Sequence, residues 1–153
     1  MPEPARHETH RAVAAAVIGN VLEWYDFGVY VFFAAVIGHN FFPHAGSSVA
    51  LLASFAVFGV GFLARPVGGI VLGRLGDTHG RKAALTLTIA LMALGTVAIA
   101  ILPTYARIGV AAPVLLVLAR LVQGFSAGGE WGGATAFMVE WAPSGRRGFY
   151  GSW

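Results

Sequence analysis

The chain has 153 residues, 57% of them hydrophobic and 11% charged, with 21 glycines, no cysteine and a formal net charge of +3. Soluble domains carry roughly a quarter charged residues and disordered chains need low hydrophobicity, so this composition excludes both and describes a membrane protein. The lack of cysteine removes disulfide frameworks, thiolate metal sites, iron–sulfur clusters and Cys nucleophiles, and a pI near 9.8 that rests on +3 with no basic stripe argues against a nucleic-acid partner.

Crossing a hydrocarbon core of ~30 Å at ~1.5 Å per residue takes about 20 apolar residues. Four segments reach that length: 13–38, 49–72, 83–102 and 113–139. The polar start, 1–11, is too acidic for a cleaved signal peptide, and the apolar run after it is too long. Turn-like breaks fall at 41–46, 73–82 and 103–112. They are short, so neighbouring spans run antiparallel. Arg6, Arg11, Arg74, Arg81, Lys82, Arg146 and Arg147 lie on one side of the predicted spans, against Arg107 alone on the other. Basic residues stay cytoplasmic, which predicts an all-α membrane protein of four transmembrane helices with both termini in the cytoplasm.

Five charges fall inside the spans. Glu23 and Asp26 are three apart on span one and share a face. Arg65 is in span two, and Arg120 and Glu130 are in span four. A charge at a helix centre costs ~2.5–3.5 kcal/mol on insertion scales, so such residues usually face a polar interior. Counted from the cytoplasmic ends, Glu23, Arg65 and Glu130 fall about 10–15 Å deep. Asp26 lies nearer the midplane and Arg120 higher again. A purely structural role is open for the deeper set: Glu23 or Glu130 could neutralise Arg65 and lock helices together. Asp26 and Arg120, by their depth, point to function.

Gly124, Gly128 and Gly132 recur every fourth residue on span four, as do Gly129 and Gly133, and Gly69 and Gly73 on span two. Small residues at this spacing let helix backbones approach closely in lipid, so span four is expected to pack tightly against a neighbour.

Between spans two and three stands Gly73-Arg74-Leu75-Gly76-Asp77-Thr78-His79-Gly80-Arg81-Lys82. It resembles the loop signature of the major facilitator superfamily, with Thr78 where a basic residue is usual. Leu116, Arg120, Gln123 and Gly124 resemble that superfamily's fourth-helix motif, and Glu140, Pro143, Arg146, Arg147 and Gly148 resemble the signature after helix four. Gly19-Asn20, Glu23-Trp24-Tyr25-Asp26-Phe27, Phe41-Phe42-Pro43, Arg65-Pro66 and Gly128-Gly129-Glu130 are similar to the metabolite:proton symporter family, whose members carry citrate, 2-oxoglutarate, shikimate, proline or betaine.

The resemblance implies proton-coupled transport of a small carboxylate-bearing metabolite, with zwitterions such as betaine open, in a multi-pass protein of a bacterial inner membrane. It implies no cofactor, no metal and no enzymatic activity. Asp26 or Glu23 would carry the proton, with Arg120 and Glu130 in the coupling set. Arg65, Arg120 and Tyr25 would contact substrate. Gly73, Asp77, Gly80, Arg81 and Lys82 would form a gating loop, in which Asp77 and Arg81 latch the inward gate, followed after helix four by Glu140, Arg146 and Arg147. Physical chemistry favours the same parts: burial favours a neutral carboxyl, while a nearby Arg favours the charged one. Proton and anionic substrate can then compete for the same cations. The resemblance also implies that 1–153 is a partial N-terminal six-helix half of a twelve-helix transporter, with helix five starting after 148 and the C-terminal half a missing partner. A non-transporting membrane remnant or small interaction protein is the alternative.

Three patterns carry less. Gly124-Phe125-Ser126-Ala127-Gly128 spells the nucleophile elbow of hydrolases, but it lies in an apolar helix rather than a strand–turn–helix. Gly59, Gly61 and Ala64 imitate a dinucleotide fingerprint without a βαβ unit. His7 and His10 lack a second ligand pair.

Overall fold

The computed structural model describes the backbone of residues 6–142, 145 and 147–151, and the side chains of 17, 18, 20–130, 139, 142, 145 and 147–149. The described residues form helices and no strands: α1 (Arg6–Phe32), α2 (Ala34–Phe41), α3 (Ser47–His79), α4 (Arg81–Ile101), the single turn α5 (Tyr105–Ile108), α6 (Ala111–Trp141) and α7 (Arg147–Gly151). Three of them, α3, α4 and α6, are long and apolar enough to cross a membrane, and α1 with α2 makes a fourth if the bent pair counts as one span. Leu52, Leu63, Leu94 and Ile101 are among many large apolar side chains left exposed, a surface that suits lipid rather than water.

Two boundaries differ from the sequence expectation. The first span is not one straight helix: Asn20–Phe32 and Ala34–Phe41 meet at 62°. Phe33 makes the corner with φ −91° and ψ 8°, in the sparsely allowed bridge region. The N–H of Phe33 still reaches the Val29 carbonyl, and that of Ile37 the Phe33 carbonyl. The bend carries Gly38 onto the Ala50 backbone at a distance that leaves no room for a Cβ.

The second difference is at 73–82, where the expected loop is almost entirely helix. α3 runs on to His79, and Gly80 alone separates it from α4. Thirty-three residues span about 50 Å, so α3 outruns a hydrocarbon core of ~30 Å and keeps its helical hydrogen bonds beyond it. Gly80 turns the chain at φ 95°, where a Cβ would be strained. The break at 103–112 likewise contains the single turn α5.

Helix α6 is the centre of the bundle, packed most extensively on α3 and next on α4. The expected glycine contact exists and its partner is α3. A Cβ on Gly124 would collide with the Gly61 backbone, one on Gly128 with the Arg65 backbone, and one on Gly68 with the Phe125 backbone. Gly129 faces Leu72 and Gly69 the Gly128 carbonyl, whereas Gly73 and Gly59 meet nothing. The seam on α3 therefore begins higher than the Gly69–Gly73 pair suggested. Toward α4, Ser126 donates to the Thr88 carbonyl, so the residue at the centre of the elbow-like motif is a buried tie between helices. An apolar cluster of Phe41, Val57, Ala112 and Leu116 closes the end opposite Gly80.

Candidate functional site

Every third or fourth residue of a helix returns to the same face, and three helices use this to aim polar groups inward. On α1 the buried or half-buried positions include Glu23, Asp26, Phe27 and Tyr30; on α6 they include Arg120, Gln123, Ser126, Ala127 and Glu130; on α4 they include Ala84, Thr88, Met92 and Gly95. Where these stripes meet, the charges sort into two tiers.

The upper tier is Asp26 with Arg120. Arg120 Nη1 donates to Asp26 Oδ2 at 2.9 Å and to Gln123 Oε1 at 2.6 Å. Gln123 Nε2 in turn donates to Thr96 Oγ1 at 2.8 Å and to Asp26 Oδ2 at 3.3 Å. The Thr96 hydroxyl has the Met92 carbonyl at 3.1 Å and Asp26 Oδ1 at 3.4 Å as acceptors. The guanidinium carbon of Arg120 sits 3.7 Å from the Tyr30 ring centroid, and Tyr30 donates to the Ser54 carbonyl at 3.1 Å while stacking on Phe58. Gly95 makes this possible, because a Cβ there would occupy the space of the Gln123 side chain.

In the lower tier Arg65 Nη2 donates to Glu23 Oε1 at 2.8 Å. The guanidinium lies against both Phe27 and Phe62, 4.7 and 4.3 Å from their centroids, a favourable arrangement of cation over ring face. Glu130 is 2% exposed, and among the described residues its buried Oε2 has no hydrogen-bond partner. Of the two carboxylates the sequence offered to Arg65, Glu23 takes it. A narrow cleft lined by Phe27, Gly61, Phe62, Arg65, Arg120 and Gln123 joins the tiers.

Tyr25 is not part of either tier. It lies off the inward stripe of α1 and is 70% exposed. At the Gly80 end, Arg81 Nη2 pairs with Asp77 Oδ1 at 2.9 Å, one helical turn apart. Thr78, standing where a basic residue is usual, donates to the Arg74 carbonyl at 2.9 Å and lies 2.8 Å from His79 Nδ1. Lys82 is exposed, as is Arg147. The Glu140 side chain and Arg146 lie outside the described residues, as does the side-chain placement of His7 and His10. No group of three or more potential metal ligands occurs among the described residues.

Gln123 was visible in the sequence only as part of a motif, and Thr96 and Tyr30 were missed. A threonine and a tyrosine in apolar helices give no sequence signal of their own. Inward register on the same face as Asp26, four residues before Tyr30, was the one available clue.

A bundle of apolar helices with ion pairs aligned along its interior defines an integral membrane protein built around a buried polar path. Residues 12–153 match the sugar (and other) transporter family, and the chain belongs to that family, within the major facilitator superfamily. It is 50% identical to the glycine betaine/proline/ectoine/pipecolic acid transporter of Dickeya dadantii over 94% of this chain and 28% of that protein. It is also 50% identical to the proline/betaine transporter of Salmonella typhimurium and 48% identical to that of Escherichia coli K12, in each case over 94% of this chain and 29% of the relative. These relatives are named as transporters, not enzymes. The chain thus spans less than a third of the length of the curated relatives it matches. No solved structure matches it.

Proposed function

We propose that this chain supplies one wall of a secondary transporter that moves a small zwitterionic metabolite of the proline and betaine kind together with a proton. The observation that carries the proposal is the part-buried Asp26–Arg120 pair, braced by Gln123 and Thr96. Protonation of Asp26 removes the charge that holds Arg120. The guanidinium then becomes available to the carboxylate of a substrate, so proton and substrate load onto linked groups. Asp26 is the proton carrier in this reading, Arg120 its counter-cation, and Arg65 a second cation for substrate, paired meanwhile with Glu23.

The names of the relatives favour transport over a non-transporting interaction protein. In this proposal 1–153 is part of the N-terminal six-helix half of a twelve-helix protein, with the remaining helices completing the cavity. The bias of seven Lys and Arg against one supports a cytoplasmic Gly80 end and cytoplasmic ends of the segment, in the inner membrane of a bacterial cell as for a transporter of this kind. There Gly73, Asp77, Gly80, Arg81 and Lys82 form the inward gate, and Glu140, Arg146 and Arg147 the segment after helix four.

The test is uptake of radiolabelled proline or glycine betaine by the full-length transporter in vesicles under an imposed pH gradient. The wild type is expected to accumulate substrate, and Asp26→Asn to abolish accumulation. Accumulation by Asp26→Asn at the wild-type level overturns the role given to Asp26.

A further inference from the structure

Among the described residues two guanidinium groups rest on aromatic rings, and those rings lie in contact with one another. Arg120 is 3.7 Å from the Tyr30 centroid, and Tyr30 stacks on Phe58 with centroids 5.4 Å apart and planes 18° apart. Phe58 meets Phe27 and Phe62 edge-on at 5.6 and 5.3 Å. Phe27 and Phe62 are 5.7 Å apart with planes inclined by 36°, and Arg65 lies against both, at 4.7 and 4.3 Å. Helical period explains the grouping: Phe27 and Tyr30 are three apart on α1, and Phe58 and Phe62 four apart on α3. The three phenylalanines line the same cleft as Gln123 and both arginines.

The two cations differ in how firmly they keep their rings. Arg120 is pinned by Asp26 and Gln123, and its side chain is 5% exposed. Arg65 has Glu23 as its one ion-pair partner among the described residues, an Nε with no hydrogen-bond partner, and a side chain 28% exposed. Phe62, against which it lies, is 43% exposed. A ring face attracts a cation through its quadrupole, whichever cation that is. A guanidinium on such a face still carries N–H donors that need acceptors. A quaternary ammonium carries none and leaves nothing unpaired against phenyl rings.

We infer that Phe27 and Phe62 form the subsite for the substrate's methylated ammonium group, the seat that Arg65 fills in this structure, with Phe58 bracing both rings from the side. The ammonium group takes the place of the guanidinium on the two ring faces. Glu23 Oε1, now 2.8 Å from Arg65 Nη2, becomes its counter-charge. The displaced guanidinium is left for the carboxylate at the other end of the zwitterion, so one exchange places both ends of the substrate and every charge keeps a partner. The inference rests on the proposed transport of a betaine-like zwitterion and names the part of the site that reads its cationic end.

The test sets radiolabelled glycine betaine against the tert-butylacetate ion, its carbon isostere, which keeps the shape and the carboxylate and lacks the positive charge. Both must displace Arg65, so the ratio of their affinities cancels the cost of moving it and reads the ring–cation contact. Uptake by the full-length transporter in vesicles, with the isostere as competitor, is expected to show a strong preference for betaine in the wild type. Phe27→Leu and Phe62→Leu are each expected to lower that preference about three- to thirtyfold, the range of a cation–π contact, and Phe62→Tyr to keep it. Where a leucine variant fails to fold, trifluorophenylalanine in place of Phe62 keeps the shape of the ring and weakens its negative face, and the preference is expected to fall in the same direction. A preference unmoved by the fluorinated ring, or no preference in the wild type, overturns the inference, and the rings then serve only to hold Arg65. A wild type that takes up neither betaine nor proline overturns the proposed function itself, whereas uptake with an unmoved preference overturns this inference alone.

Discussion

The two tiers use the same ingredients and differ in how completely the carboxylates are held. Among the described residues Asp26 has Arg120, Gln123 and Thr96 within 2.9–3.4 Å, whereas Glu23 has Arg65 alone and the Oε2 of Glu130 has no partner. The arginines differ in a complementary way. Arg120 is almost wholly buried, and Arg65 is more open, lying against two phenylalanine rings. A group with several partners is fixed in place and costs much to disturb, while one with a single partner can be traded. The upper tier is therefore held more firmly than the lower.

Substitutions should separate the two, and the largest effect is expected in the upper tier. Asp26→Ala strands the Arg120 guanidinium in the interior, a loss on the order of 3–5 kcal/mol, visible as a large drop in thermal unfolding temperature of the detergent-solubilised full-length protein. Arg65→Ala should cost less, because Glu23 can answer by binding a proton, as a buried carboxyl without its cation does. Equal losses from Asp26→Ala and Arg65→Ala would erase the distinction between the tiers. Gln123→Leu removes one acceptor and two donors from the upper tier and leaves neighbours unpaired, so a loss of about 1–3 kcal/mol is expected in the same assay. Replacing the lower pair together, as Glu23→Gln with Arg65→Met, should be less damaging than Arg65→Ala, since isosteres of a buried pair are often near neutral. The smallest effect belongs to the Gly80 turn: Asp77→Asn breaks an exposed pair worth less than about 1 kcal/mol and should leave the unfolding temperature almost unchanged.

Sequence alone reached the helical membrane class, the segments that span, and the inward set of five charges. Those follow from composition and from helical period, which are local. It could not decide whether Glu23 or Glu130 takes Arg65, because that depends on which face of α6 turns toward α3, a matter settled by where Gly124 and Gly128 close on Gly61 and Arg65. The corner at Phe33 was invisible for a related reason: no Pro or Gly stands there, and the bend serves the contact of Gly38 with Ala50, a partner in another helix. At 73–79 the glycines and charges looked like a loop, yet helical hydrogen bonding costs nothing to continue past the hydrocarbon edge, and only Gly80 departs from it.

The glycine seam has a consequence for motion. Where Gly61, Arg65 and Phe125 backbones lie against Gly124, Gly128 and Gly68 with no room for a Cβ, the two helices interlock at backbone level, and sliding one past the other would force main-chain atoms through each other. α3 and α6 must therefore travel as a single rigid body, taking Arg65 and Arg120 with them at a fixed separation of their Cα atoms. Relative movement within the segment is left to the joints outside the seam, such as Phe33 and Gly80.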